Sequence, residues 1–260
     1  MTALARIARG EAAGLRLLVV AAHPDDETIG LGGALPSLGE VTVLHVTDGA
    51  PRDGRDAALH GFPSVAAYAA ARRAEAAAAL ALAGLDATRL LSLDVPDQEA
   101  TLHIVPIAHR IAEAIRARRP DLVVTHAYEG GHPDHDAVAC AVHASARLLR
   151  DPPPLAEMTG YHAGPEGIAT GRFLPPEDEA VTLPLTAETA ARKHRMLDCF
   201  ATQRAVLAAF PLGAEKLRPA PAHDFTAPPH PGPLFYERFP WGMDGVRFRA
   251  LAGAAMQGLR

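Results

Sequence analysis

Four short apolar runs in the first half of the chain constrain the fold more than any other feature. "LRLLVVAA" (15–22), "VTVLHVT" (41–47), "RLLSLDV" (89–95) and "DLVVTHA" (121–127) are rich in Val and Leu and bounded by turn residues. Strands buried on both faces of a parallel sheet read this way. Helix-compatible stretches separate or follow them. Residues 65–85 are Ala-rich with a stop at Gly84, and residues 104–120 carry Ile107, Ile111 and Ile115 on one stripe before a proline. Residues 135–150 begin among acids that suit a helix N-terminus. Alternation of this kind predicts an α/β fold: a Rossmann-like, doubly wound, mostly parallel sheet with helices on both faces.

After "DPPP" (151–154) the pattern loosens. "EMTGYHA" (157–163) and "EAVTLPL" (179–185) read as strands, and residues 187–210 as one helix. The segment 211–241 is rich in proline, but Phe225, Phe235, Tyr236, Phe239 and Trp241 favour an ordered, packed rim. No clean linker is visible, so residues 1–260 are expected to form a single domain. No apolar run reaches about 18 residues, so no membrane anchor is expected. The N-terminus lacks a signal-peptide pattern, which points to the cytoplasm. A net charge of −5 without a basic block argues against nucleic acid as a partner. Cys140 and Cys199 sit in apolar, helix-like contexts and read as reduced core residues.

Two clusters carry chemistry. "HPDDE" (23–27) follows the first predicted strand and "HPDH" (132–135) follows the fourth. Ligands in doubly wound sheets bind beyond the carboxyl ends of the strands, where the strand order switches. The two clusters are therefore expected to face one another across one crevice. His23, Asp26 and His135 make a three-ligand set for zinc with an open position for water. Asp25, beside a ligand, is placed to take the water proton as general base. His132 is placed to stabilise an oxyanion or protonate a leaving amine, and Asp134 to orient an imidazole. A helix cap accounts for one acid at either site, but not for two such clusters. Gly30, Gly32 and Gly33 suggest a dinucleotide loop, yet position 35 is Leu and the G-x-G-x-x-G spacing fails. Close approach of a neighbouring element explains them better. His126 and His162 lie near predicted strand ends and are candidates to support the site. His45, His143 and the other scattered histidines read as surface or satisfied core. Lys193, Arg195 and Gln203 read as an exposed helix face.

The paired "AHPDDE" and "GHPDH" motifs resemble the PIG-L/LmbE-like zinc deacetylases, over about residues 15–210. "TDG" (47–49), "RRAE" (72–75), "PDQ" (96–98) and "ATQ" (201–203) fit more weakly. The resemblance implies zinc, one ion per chain with other divalent metals possible, on His23, Asp26 and His135. It implies Asp25 as general base, His132 as the group that stabilises the tetrahedral intermediate, and Asp134 as the acid supporting that histidine. Arg72 and Asp97 match substrate-binding positions. The implied reaction is hydrolysis of the N-acetyl amide of an amino sugar or glycan-linked small molecule. The alternatives are an amidase acting on a larger conjugate, such as a thiol adduct, and a non-catalytic sugar-binding member.

Overall fold

The expected sheet forms, and its strand order sets the two clusters side by side. The computed structural model describes residues 1–165, 167–177, 179–210 and 212–259; Pro211, the first residue of the expected rim segment, lies outside the described residues. The strands are β1 (Arg16–Ala21), β2 (Glu40–Pro51), β3 (Leu90–Asp97), β4 (Leu122–His126), β5 (Leu155–Met158), β6 (Tyr161–Gly164), β7 (Gly167–Thr170), β8 (Val181–Pro184) and β9 (Ala214–Pro219). The main sheet has the order β3-β2-β1-β4-β5-β9-β8, and β6 and β7 pair in a separate hairpin. Strands β1 to β5 are mutually parallel, and β9 runs antiparallel to both its neighbours. The order reverses between β1 and β4, and a crevice opens there at the carboxyl end of the sheet.

Helices cover both faces: α1 (Ala3–Ala8), α2 (Asp26–Leu31), α3 (Arg55–Leu59), α4 (Val65–Leu82), α5 (Ile104–Arg118), α6 (Pro133–Arg147), α7 (Ala187–Asp198), α8 (Arg204–Leu207) and α9 (Gly245–Gly258). Alternate residues of β1 feed opposite cores, as the pleat requires. Leu18 and Val20 pack with α5, α6 and α9, through residues such as Ile111, Val138 and Phe248. Leu17 and Val19 pack with Leu31 of α2, Leu80 of α4 and Met196 of α7. The Ile107, Ile111 and Ile115 stripe of α5 is buried as its spacing predicts.

Three expectations need correction. The expected strand 157–163 is two: β5 stops at Met158, and the chain turns through Thr159 and Gly160 into the separate hairpin. A Cβ on Gly160 would sit 2.9 Å from the Glu129 carboxylate, so the turn passes directly behind the fourth-strand loop. The expected helix 187–210 ends at Asp198. Glu75 of α4 accepts from Thr202 N (3.0 Å) and Thr202 Oγ1 (2.6 Å), drawing the chain off the helix axis while Phe200 enters the core. Part of the proline-rich segment is β9, an interior strand of the main sheet. Helix α9 adds to the expected set and closes one core over Phe248 and Ala252.

The glycines after β1 serve close approach. A Cβ on Gly30 would lie 2.5 Å from Met158 Sδ, and one on Gly33 2.6 Å from the Leu185 side chain.

Candidate metal centre and active site

The chain leaves β1 at Ala21 and enters α2 at Asp26, so His23, Pro24 and Asp25 form a short turn at the switch point. Asp25 has φ 146° and ψ −27°, a conformation that L-residues rarely adopt and that costs roughly 1–3 kcal/mol. Glu27 braces it. Its buried carboxylate accepts from Asp25 N (3.3 Å) and Thr28 Oγ1 (2.8 Å) and pairs with His45 Nε2 at 2.8 Å. Glu27 and His45 thus have a defined task behind the turn, which neither a dipole-favoured acid nor a scattered histidine signals in sequence.

The second cluster opens α6. His132 is its N-cap, and Nδ1 of its ring accepts the Asp134 N–H at 3.1 Å, with Pro133 in the first turn. A neutral His132 therefore carries its proton on Nε2. Burial, together with the nearby His23 and His135, holds the His132 pKa well below its usual value.

The two clusters meet. His23 Nδ1 lies 3.2 Å from Asp26 Oδ2, His135 Nε2 lies 3.2 Å from Asp26 Oδ1, and the two ring nitrogens are 3.3 Å apart. Tetrahedral zinc with bonds of about 2.0–2.1 Å separates its ligands by about 3.3–3.4 Å, so the two ring nitrogens are spaced for such an ion, and Asp26 sets one carboxylate oxygen beside each of them. The His132 ring joins the same cluster, 4.5 Å from the centroid of His23 and 5.3 Å from that of His135. His126 stacks on His135 at 4.1 Å, accepts the Ala22 N–H and sits 3.4 Å from Asp26 Oδ2. Burial works against the charge on Asp26, but His135 and His126 hold its pKa well below the usual carboxylate range.

Asp25 points away from that centre into Arg72. The guanidinium donates to Asp25 Oδ2 at 3.1 Å and to the Pro24 carbonyl at 2.8 Å. Burial pushes the Asp25 carboxyl up to about 8, against the pull of Arg72 and with help from Asp26. Arg72 is 4 % exposed, so it is no solvated helix face. Asp134 is also placed differently from the expected support of His132. Its backbone caps that ring, whereas its carboxylate lies 3.4 Å from His23 Nε2 and accepts from Gln98 N (2.6 Å) and Ala100 N (3.0 Å). Asp97 stands 3.0 Å from His23 Nε2, so two acids flank one imidazole. His162 lies on the β6–β7 hairpin and bonds the carbonyl of its own neighbour Ala163.

A cavity of about 280 Å³ opens over these groups. His23, Asp25, Asp26, Arg72, Asp97, His132 and His135 all line it, whereas Asp48 pairs with Arg52 away from it. Tyr161 and Trp241 line it too, from segments where sequence periodicity is weak, and so does Gln203, which is not on the expected exposed helix face because the helix ends at Asp198 and the chain turns inward. Lys193 belongs to none of the exposed faces expected for its helix. It is 1 % exposed, and its ammonium donates to the Ile29 carbonyl (2.6 Å) and Glu215 (2.8 Å). Glu215 in turn accepts from Gly33 N (2.8 Å) and Ala34 N (2.9 Å), which ties the far end of α2 to β9.

Residues 18–146 match the PIG-L family, described as GlcNAc-PI de-N-acetylase. No curated protein sequence matches the chain. Among solved structures, the A40926 pseudoaglycone deacetylase Dbv21 is 21% identical, with 80% of this chain and 99% of that one covered at a TM-score of 0.61. N,N'-diacetylchitobiose deacetylase from Pyrococcus horikoshii is 19% identical, with 78% and 82% covered at a TM-score of 0.53. GalB, the 4-carboxy-2-hydroxymuconate hydratase from Pseudomonas putida KT2440, is 19% identical, with 81% and 99% covered at a TM-score of 0.56. At these identities the likeness is one of fold, and a hydratase shares it with deacetylases, so the reaction must be argued from the site.

Proposed function

Since the chain belongs to the PIG-L family, we propose that it is a metal-dependent amide hydrolase that removes the acetyl group from an N-acetylated amino sugar or glycan-linked small molecule. One observation carries the reading: two imidazole nitrogens 3.3 Å apart, each 3.2 Å from one oxygen of the Asp26 carboxylate, beside a second buried carboxylate that faces away from them. Zinc suits two imidazoles and a carboxylate, and when bound there it supplies Lewis acidity to the amide carbonyl and makes water more acidic.

The chain's own residues supply the remainder. In its ionised form, which the Arg72 guanidinium favours against burial, Asp25 accepts a proton from the attacking water, and the braced turn with Arg72 fixes the direction of its carboxylate. His132 donates from Nε2 to the oxygen that becomes negative as water adds to the carbonyl. Its Nδ1 is occupied by the Asp134 N–H, which keeps that tautomer. Asp134 and Asp97 hold the His23 ring from its other nitrogen. When the carbon–nitrogen bond breaks, the amine takes the proton that Asp25 accepted, or one from His132. Water and amide thereby become acetate and amine.

A panel of N-acetyl amino sugars, assayed with added zinc and with a chelator, tests this. Acetate and amine are expected in equal amounts, lost on chelation and restored by metal. Amine accompanied by a larger acid would favour the conjugate amidase. Tight sugar binding without turnover would favour the binding protein.

A further inference from the structure

The cavity has two unlike walls at its mouth. On one side Val206, Phe210, Pro240 and Trp241 line it. Trp241 packs 4.6 Å from the His132 ring and stacks on Phe239 at 4.5 Å and 12°. Val206 is 58% and Phe239 38% exposed, so this apolar surface continues outward from the reacting groups. On the other side stand Asp53, Arg55 and Asp56, with Asp97 deeper, against His23. Arg55 is tied to Asp53, and the deeper Arg72 to Asp25, so Asp56 has no ion-pair partner among the described residues. Such a mouth offers apolar contact on one side and hydroxyl-accepting carboxylates on the other. At this wall Arg55 offsets Asp53 but not Asp56, which leaves a local negative charge that disfavours an anion beside it.

Resting on the amide-hydrolase reading, we propose that the substrate is an N-acyl amino sugar bearing an aromatic or other apolar substituent and no negative charge on it. The Trp241 wall takes the substituent, and Asp56 accepts from ring hydroxyls. A phosphodiester-linked sugar is disfavoured on the same grounds, since its charge would enter beside Asp53 and Asp56.

Methyl, phenyl, 4-carboxyphenyl and 4-(trimethylammonio)phenyl glycosides of N-acetylglucosamine separate the possibilities. Two readouts are needed with zinc present: amine release by the wild type, and quenching of Trp241 fluorescence in Asp25→Ala. Trp241 is the only tryptophan in the chain, so its emission reports on this wall alone. The phenyl glycoside should show a KM about tenfold below that of the methyl glycoside. The carboxyphenyl glycoside should fall about fivefold behind phenyl in kcat/KM, with the gap shrinking as salt is raised. Asp56→Asn should narrow the same gap. A preferred carboxyphenyl glycoside, or phenyl no better than methyl, overturns the inference while leaving the hydrolase reading intact. Selective quenching without amine release supports the mouth's selectivity and overturns the hydrolase reading instead. No response in either readout overturns the inference.

Discussion

At the residue scale the proposed mechanism assigns three tasks to neighbouring side chains. Asp26 shares its two oxygens between His23 and His135, while adjacent Asp25, turned by a φ of 146°, faces Arg72. A one-residue step along the chain thus turns one carboxylate to the two imidazoles and the next to a guanidinium, the separation that the proposed ligand and base roles require. His132 is distinct again, because its helix-cap bond leaves only Nε2 for the cavity. His132→Ala should keep the metal and lower kcat about 10²–10³-fold, as loss of one oxyanion donor does. Unchanged kcat at full metal content would remove His132 from the mechanism. The motifs made these residues legible in sequence, but not their partners. Asp134 illustrates the limit: spacing places it beside His132, and only the fold turns its carboxylate towards His23.

At the element scale the strand–helix alternation was legible because each parallel strand is a short apolar run. Beyond residue 154 that signal fails, for physical reasons. β9 carries Glu215 and Arg218, residues that read as solvent-facing, yet both are buried because each has a partner. Glu215 meets Lys193 and the amides after α2, and Arg218 donates to Glu157 at 2.9 Å. Helix α2 is short and glycine-bearing, so its position depends on this tie to β9 and on contact with α7. Glu215→Ala leaves a buried lysine unpaired and should cost about 3–5 kcal/mol, read as a lowered urea midpoint. A midpoint within error of the wild type would show that the pair does not hold α2.

At the scale of the whole molecule, the switch point between β1 and β4 is what lets two motifs more than 100 residues apart form one centre. Far from that centre, His143 of α6 gives the fold a pH dependence. Burial lowers its pKa to about 4, with His223 adding to the effect and Glu157 opposing it. The unfolded chain, near 6.5, binds this proton more readily than the folded one. The resulting stability is complete above pH 6.5 and is lost as pH falls from about 6.5 towards 4. The urea midpoint of the wild type should fall relative to that of His143→Gln as pH drops through that window. A constant difference between the two would assign the dependence to other groups.

The central claim is that Asp25 takes the proton while its neighbours hold the metal. It is tested most directly by measuring zinc content and acetate release on the same preparation of Asp25→Ala. The account predicts zinc at the wild-type level with turnover reduced about 10²–10⁴-fold, the range a general base contributes. Wild-type turnover in that variant would contradict it.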